Sequence, residues 1–259
     1  MTYRTPTGRY SNLYEDMADQ IHLLVAGEAG SGKSVVINGI LTTLLYRFPT
    51  DTPNGAQFIL IDPKRVELIA YKNVPHTIRY ASEPDSMIAA IKHAMSITEN
   101  RYKAMQRSRQ KKYCGSDIYV VIDEFADLMT TQRKTVMPLI QRLAQIGRAA
   151  RVHIILATQT PISKVLPTEI KCNFDSRVGL RTRSAQDSRN IIGMTGLENL
   201  PRYGKGYYMT PERECFCIVP MVEESEINRL VRFWEAQRGF GFARTQQYAA
   251  ASGETMWWL

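Results

Sequence analysis

The sequence predicts an α/β protein: a mostly parallel β-sheet with helices on both faces and a β-hairpin towards the C-terminal end. Three observations carry this reading. Short continuous apolar runs recur at 22–26 (HLLVA), 57–61 (QFILI), 119–122 (YVVI) and 153–157 (HIILA), the pattern of strands buried on both faces. Segments with apolar residues at helical spacing separate them, and strands that alternate with helices build parallel sheets covered on both sides. The first run opens into Gly27-Glu28-Ala29-Gly30-Ser31-Gly32-Lys33-Ser34, a glycine-rich turn between strand and helix.

Taken in order, residues 1–20 are polar and turn-rich around Thr5-Pro6-Thr7-Gly8, and are expected to be a lead-in with little structure. Val36, Ile37, Ile40, Leu41, Leu44 and Leu45 then mark a helix over 33–45. A turn cluster at 50–56 leads to the second strand, which ends at Asp62-Pro63. Ser82-Glu83-Pro84-Asp85 reads as a helix start, with a capping serine and acids facing the positive end of the helix dipole. Met87, Ile91, Ala94, Met95, Thr98, Tyr102 and Met105 form the apolar side of that helix. The basic stretch 107–112 that follows fits a solvated helix end. A helix over 135–150 joins the third and fourth strands, and 177–180 is a fifth strand. Segments 206–209 and 214–219 flank Pro211 as a hairpin. Ile227, Leu230, Val231 and Trp234 mark a last helix, and a tail without clear period follows from Arg238.

Composition narrows the class. At 259 residues, 44% apolar and 22% charged, the chain is globular rather than disordered or fibrous, and long enough to fold without disulfides. Lys and Arg outnumber Asp and Glu by 33 to 25, a net charge of +8 that fits an anionic partner, nucleic acid first. The cysteines at 114, 172, 215 and 217 form neither a disulfide framework nor a second pair to complete a zinc site around Cys215 and Cys217. With no signal peptide and no apolar run of about 18 residues, the expected location is cytoplasmic.

The chemistry is carried by strand ends. Residues 27–34 fit G-x-x-x-x-G-K-[ST]: the glycines let backbone N–H groups close around phosphate oxygens, Lys33 reaches the β- and γ-phosphates, and Ser34 ligates Mg²⁺. Strand 119–122 ends in Asp123-Glu124. Asp123 is placed to hold the Mg²⁺ shell and Glu124 to polarise the attacking water, as in nucleotide hydrolases. Two adjacent acids favour hydrolysis over transfer to a small acceptor. Gln159, at the end of the next strand, is either a sensor of the γ-phosphate or a plain polar strand end.

HLLVAGEAGSGKS, LIDPKRVEL, VPH, ENRYKAM, VIDEFADLM, RLAQIGRAARVHIILATQTP, IKCNFDSRVGL and DSRNIIG follow one another from about Ile21 to Met209. In that order they resemble the motor domain of the FtsK/SpoIIIE DNA translocases. The resemblance implies a RecA-like P-loop domain over 21–238, preceded by the 1–20 lead-in and followed by the 239–259 tail. It also implies a homo-hexameric ring around double-stranded DNA, with ATP and Mg²⁺ held between subunits. By position Arg148 matches the arginine finger that enters the neighbour's ATP site, with Arg142 a second candidate, and Arg189 matches a residue on the DNA backbone. Two departures stand out: Thr160 where relatives carry arginine, and Ala185 where they carry lysine. Arg181 and Arg183 lie close enough to substitute. The length leaves room for a minimal motor, without membrane region or winged-helix domain, and so for sequence-independent binding to phosphates. Met256-Trp257-Trp258-Leu259 reads either as a docking segment or as a plain chain end. Two other functions share these motifs: an ATPase that moves proteins in secretion, and an ATP-dependent scaffold, the second disfavoured by the intact Asp123-Glu124 pair.

Overall fold

The computed structural model describes residues 1–4, 9–19 and 21–237. One sheet runs through it, in the order β2 (Tyr10–Asn12), β1 (Thr2–Arg4), β10 (Glu214–Ile218), β9 (Lys205–Met209), β8 (Ser176–Leu180), β3 (His22–Ala26), β7 (Val152–Thr158), β6 (Asp117–Ile122), β4 (Ala56–Ile61), β5 (Thr77–Ala81). Strands β3, β4, β5, β6, β7 and β8 are parallel. The hairpin of β9 and β10 extends the sheet antiparallel to β8.

Side chains alternate along each buried strand, so each strand feeds two cores. Leu24, Ala26, Val120 and Ile122 face one layer, built with α2 (Pro84–Ser108), α3 (Phe125–Thr131), α4 (Arg133–Ile146), α5 (Thr168–Lys171) and α6 (Ala185–Ile192). Leu23, Val25, Tyr119 and Val121 face the other, built with α1 (Lys33–Leu44) and α7 (Glu224–Ala236). The expected α/β class, the two-sided cover and the hairpin are all present. Loops leaving the C-terminal ends of β3, β4, β6, β7 and β8 converge on one edge, which makes that edge the place for chemistry.

Three expectations change. The 1–20 segment is not without structure. β1 (Thr2–Arg4) pairs with β10, β2 (Tyr10–Asn12) pairs with β1, and Leu13 is buried in the core. Strands of three residues carry too little period to be seen in sequence, and the open edge of β10 specifies them. The long second helix is capped by Glu83, whose N–H donates to Ser86 Oγ at 3.0 Å, with Pro84 as its first residue, and not by Ser82. The expected 135–150 helix ends at Ile146, which leaves 147–150 as a turn before β7. Strand β5 and helices α3 and α6 had no reading in the sequence; β5 is a half-exposed edge strand and α6 only eight residues long. The tail and its Met256-Trp257-Trp258-Leu259 end lie outside the described residues.

Two buried histidines tie the layers to the sheet. His22 Nε2 donates to the Ala144 carbonyl at 2.8 Å, while its Nδ1 accepts from Ile154 N–H at 3.1 Å, a pairing that only the neutral ring can make. His76 Nε2 meets the Arg47 carbonyl at 2.6 Å, and the ring lies edge-on to Trp234 with centroids 4.6 Å apart. Burial lowers both from 6.5 to about 4. Between those values the unfolded chain binds more protons than the folded one, so stability rises with pH there. Stability is expected to be full above pH 6.5 and to fall towards pH 4 by about 1.4 kcal/mol per unit for each histidine. Urea midpoints measured across that window check it; a level midpoint would show that neither ring is held neutral.

Candidate nucleotide site

The phosphate loop leaves β3 at Gly27. A Cβ there would lie 2.6 Å from Ser31 Oγ and 2.7 Å from Leu180 Cβ, so only glycine lets the loop close against the end of β8. Gly32, at φ 106°, takes a left-handed turn into α1, and a Cβ on it would meet Gly204 N at 2.9 Å. Three backbone bonds fix the loop to its neighbours: Gly27 N–H to Thr158 O at 3.3 Å, Glu28 N–H to Arg181 O at 2.8 Å, and Gly204 N–H to Ser31 O at 3.1 Å. The first turn of α1 then presents N–H groups that have no partner within the helix, at its positive end.

Lys33 is buried and its ammonium donates to Asp123 Oδ1, itself at the end of β6. Asp123 Oδ2, Asp62 Oδ1 and Ser31 Oγ are buried without a hydrogen-bond partner. Burial pushes the Asp123 carboxyl up, against the pull of the Lys33 ammonium, and the nearby charges of Glu67 and Asp62 add to the rise. The structure thus brings Lys33 and Asp123 together as the motif requires, with polar oxygens left over in the same place.

Glu124 caps α3 with a left-handed backbone, φ 55° and ψ 66°. Its Oε1 accepts from Thr158 Oγ1 at 2.9 Å and from Gln159 N–H at 3.1 Å, and its Oε2 from Lys64 Nζ at 3.3 Å. Gln159 therefore meets Glu124 through its backbone N–H. Ser34 is half-buried in the first turn of α1, and Ala29 and Gly30 form the exposed tip of the loop.

The arginines divide. Arg181 donates to Glu28 Oε1 at 2.9 Å and to Leu200 O at 2.6 Å, and so braces the phosphate loop. Arg202 comes within 3.6 Å of the same carboxylate. Arg183, just beyond β8, and Arg189, on α6, are exposed. Arg142 is exposed on α4. Arg148 is exposed in the turn before β7, beside Lys111 and Lys112 in a cleft of about 440 Å³. That is the opposite edge of the sheet from the phosphate loop. The seven residues of β7 alone span about 20 Å, more than an arginine side chain can cross.

Sequence reasoning missed Asp62, Lys64, Thr158 and Arg202. Asp62 and Lys64 lie in the DPK stretch, which marked the resemblance but had no assigned role. Thr158 and Arg202 join the site only through chain crossings that no local pattern reveals.

The FtsK/SpoIIIE family model matches residues 4–117 and 111–163. The chain belongs to the FtsK/SpoIIIE family. The DNA translocase FtsK of Rickettsia typhi is 36% identical over 265 residues, covering 85% of this chain and 35% of that protein. That of Caulobacter vibrioides is 33% identical, covering 86% and 32%. The chain thus spans about a third of the length of these relatives. Among solved structures, the conjugation coupling protein TcpA of pCW3, determined with ATPgS, superposes at a TM-score of 0.74 with 24% identity, over 90% of this chain and 70% of that one. The type VII secretion ATPase EccC of Thermomonospora curvata superposes at 0.73 with 22% identity, over 90% and 30%. These likenesses show the fold, and the family places the chain among the P-loop ATPases. No helix among the described residues is long and apolar enough to cross a membrane.

Removing Lys33 alone strands a buried carboxylate. Lys33→Ala is expected to lose roughly 3–5 kcal/mol without nucleotide, and Lys33→Ala with Asp123→Ala to regain part of it. Urea unfolding of Lys33→Ala, Asp123→Ala and the double variant checks this; losses that simply add would show that the pair is not coupled.

Proposed function

We propose that the chain is the motor of an ATP-driven translocase of double-stranded DNA, which acts as a homo-hexameric ring with ATP held at the subunit interfaces. The observation that carries the reading is the division of the machinery between two edges. Lys33, Asp123 and Glu124 share one edge, while Arg148 stands exposed on the other, out of reach of its own phosphate loop. A second copy, set edge to edge, completes the site.

The residues present fit Mg²⁺ and a nucleotide. The unpartnered Asp123 Oδ2 and the Ser34 hydroxyl are hard oxygen donors, and Mg²⁺ takes few protein ligands and keeps waters. When bound, Mg²⁺-ATP supplies the phosphoryl group that passes to water. The backbone N–H groups of 29–34 bind its phosphate oxygens. Lys33 would exchange Asp123 for those oxygens, and Asp123 with Ser34 would then hold the metal. Glu124 takes a proton from water at a carboxylate oxygen. Gln159 reports the state of the γ-phosphate from the end of β7. Arg148 of the neighbouring copy stabilises charge on the transferring group.

Two observations favour DNA as the cargo. The relatives with the higher identity are named DNA translocases, and exposed Arg183 and Arg189 add to a net charge of +8. A second reading, a protein-moving ATPase, is favoured by the likeness to EccC, whose second and third ATPases are solved with a signal sequence peptide.

Arg148→Ala should keep ATP binding and lose hydrolysis by about 10³-fold. Glu124→Gln should bind ATP and stall. Mixed, the two supply an intact Glu124 facing an intact Arg148 at some interfaces, so ATPase activity should reappear with the concentration dependence of assembly. Activity no greater than the sum of the separate variants, in mixed rings shown to form by sedimentation, would leave Arg148 outside the site.

Duplex DNA should stimulate the ATPase whatever its sequence, with affinity that falls steeply as salt rises. Titrations of unrelated duplexes at several salt concentrations measure it. Stimulation by a signal-type peptide and none by DNA would favour the protein-moving reading.

A further inference from the structure

A carboxylate that takes a proton from water needs a lone pair directed at that water. In Glu124 both carboxylate oxygens already accept from protein donors. The side chain is 4% exposed. Its Oε1 accepts from Thr158 Oγ1 and Gln159 N–H, and its Oε2 accepts from Lys64 Nζ and shares the Gln159 N–H at 3.3 Å. These donors come from the ends of β4 and β7, the strands on either side of β6, so the sheet register itself aligns them on the acid.

The donors differ in how readily they can leave. Gln159 gives a backbone N–H, and Thr158 is fully buried at the end of its strand. Lys64 lies beyond the end of β4, its side chain 41% exposed, and carries its charge on a flexible stem. It is also the donor that phosphate oxygens attract. Resting on the reading of Glu124 as the group that polarises water, we propose that Thr158 and Lys64 are positioning residues that hold the Glu124 carboxylate in a resting pose clamped from both oxygens, released when phosphate oxygens draw Lys64 away. Those oxygens belong to the nucleotide or to DNA, and the two sources differ in what the experiment reads.

The test is steady-state ATPase of the full chain, with and without duplex DNA, for native protein, Lys64→Met, Thr158→Val and Glu124→Gln. Loss of the clamp should raise the DNA-free kcat of Lys64→Met on the order of tenfold, the worth of one hydrogen bond to a charged group, with KM for ATP little changed. A rise confined to the DNA-free arm assigns release to DNA phosphates; an equal rise in both arms assigns it to the nucleotide, whose phosphates then release the clamp only in part, since every site that turns over already holds ATP. Thr158→Val keeps the shape of the side chain and should act in the same direction. A purely structural role for either residue would lower kcat instead. A kcat for Lys64→Met at or below the native value in both arms overturns the clamp. Glu124→Gln separates the two levels of the argument. If it turns over normally, the reading of Glu124 fails; if it is inactive while Lys64→Met is not accelerated, the clamp alone fails.

Discussion

Parallel pairing of β8, β3, β7, β6 and β4 is the constraint on which the rest of the molecule depends. Because these strands run the same way in continuous register, Gly27, Asp62, Asp123, Thr158 and Arg181 all leave the sheet at one edge although they are far apart in sequence. Each strand is apolar on both faces and is held by a core on each side, so the edge is positioned by packing and not by the loops themselves. The loops can then carry strain. Gly32 and Glu124 both adopt left-handed backbone where strand passes to helix, and those two turns bring a buried cation and two carboxylates into one space.

The opposite edge is built as firmly, with other means. Asp117, at the start of β6, accepts from Arg47, Arg151 and His153. Burial opposes its charge, but the hydrogen bonds from His153, Arg151 and Arg47 outweigh it and hold the carboxyl well below the ordinary range. Arg151 N–H also donates to the Arg148 carbonyl at 3.2 Å, so the turn that carries Arg148 is pinned at its base while the Arg148 side chain is exposed. A residue presented on a fixed turn loses little freedom on meeting a partner. The cleft around it is lined by Lys111, Lys112 and Asp19.

Much of this was legible in the sequence for physical reasons that can be named. Strands β3, β4, β6 and β7 are buried on both faces and read as unbroken apolar runs, and the phosphate loop is a pattern of residue types at fixed spacing. Helix α2 was visible because its buried face repeats over 25 residues. Strand β5 was invisible because its residues are half-exposed, and β1 and β2 because three residues hold no period. In the site, Lys33, Asp123 and Glu124 were legible from their positions after strands. The bond of Arg181 to Glu28 was not, because it depends on β8 lying beside β3, a fact of topology that local pattern does not encode.

That topology gives the hairpin a role beyond closing the sheet. Gly204, at the root of β9, donates to Ser31 in the phosphate loop and accepts from Val219 N–H at 2.8 Å, so one residue ties the loop to both ends of the hairpin. From the same segment Arg202 reaches Glu28, which Arg181 holds from the end of β8. The loop is therefore framed by backbone bonds and by two cations on one acid, and all of these except the Gly27 bond to Thr158 come from elements on one side of β3. Any change in the loop on taking up phosphate must be accommodated by β8 and the hairpin, since a Cβ-sized displacement at Gly27 or Gly32 already meets neighbouring atoms. Exposed Arg183 follows the end of β8 by three residues and exposed Arg189 lies on α6, so both are carried by the chain that leaves the strand bracing the phosphate loop.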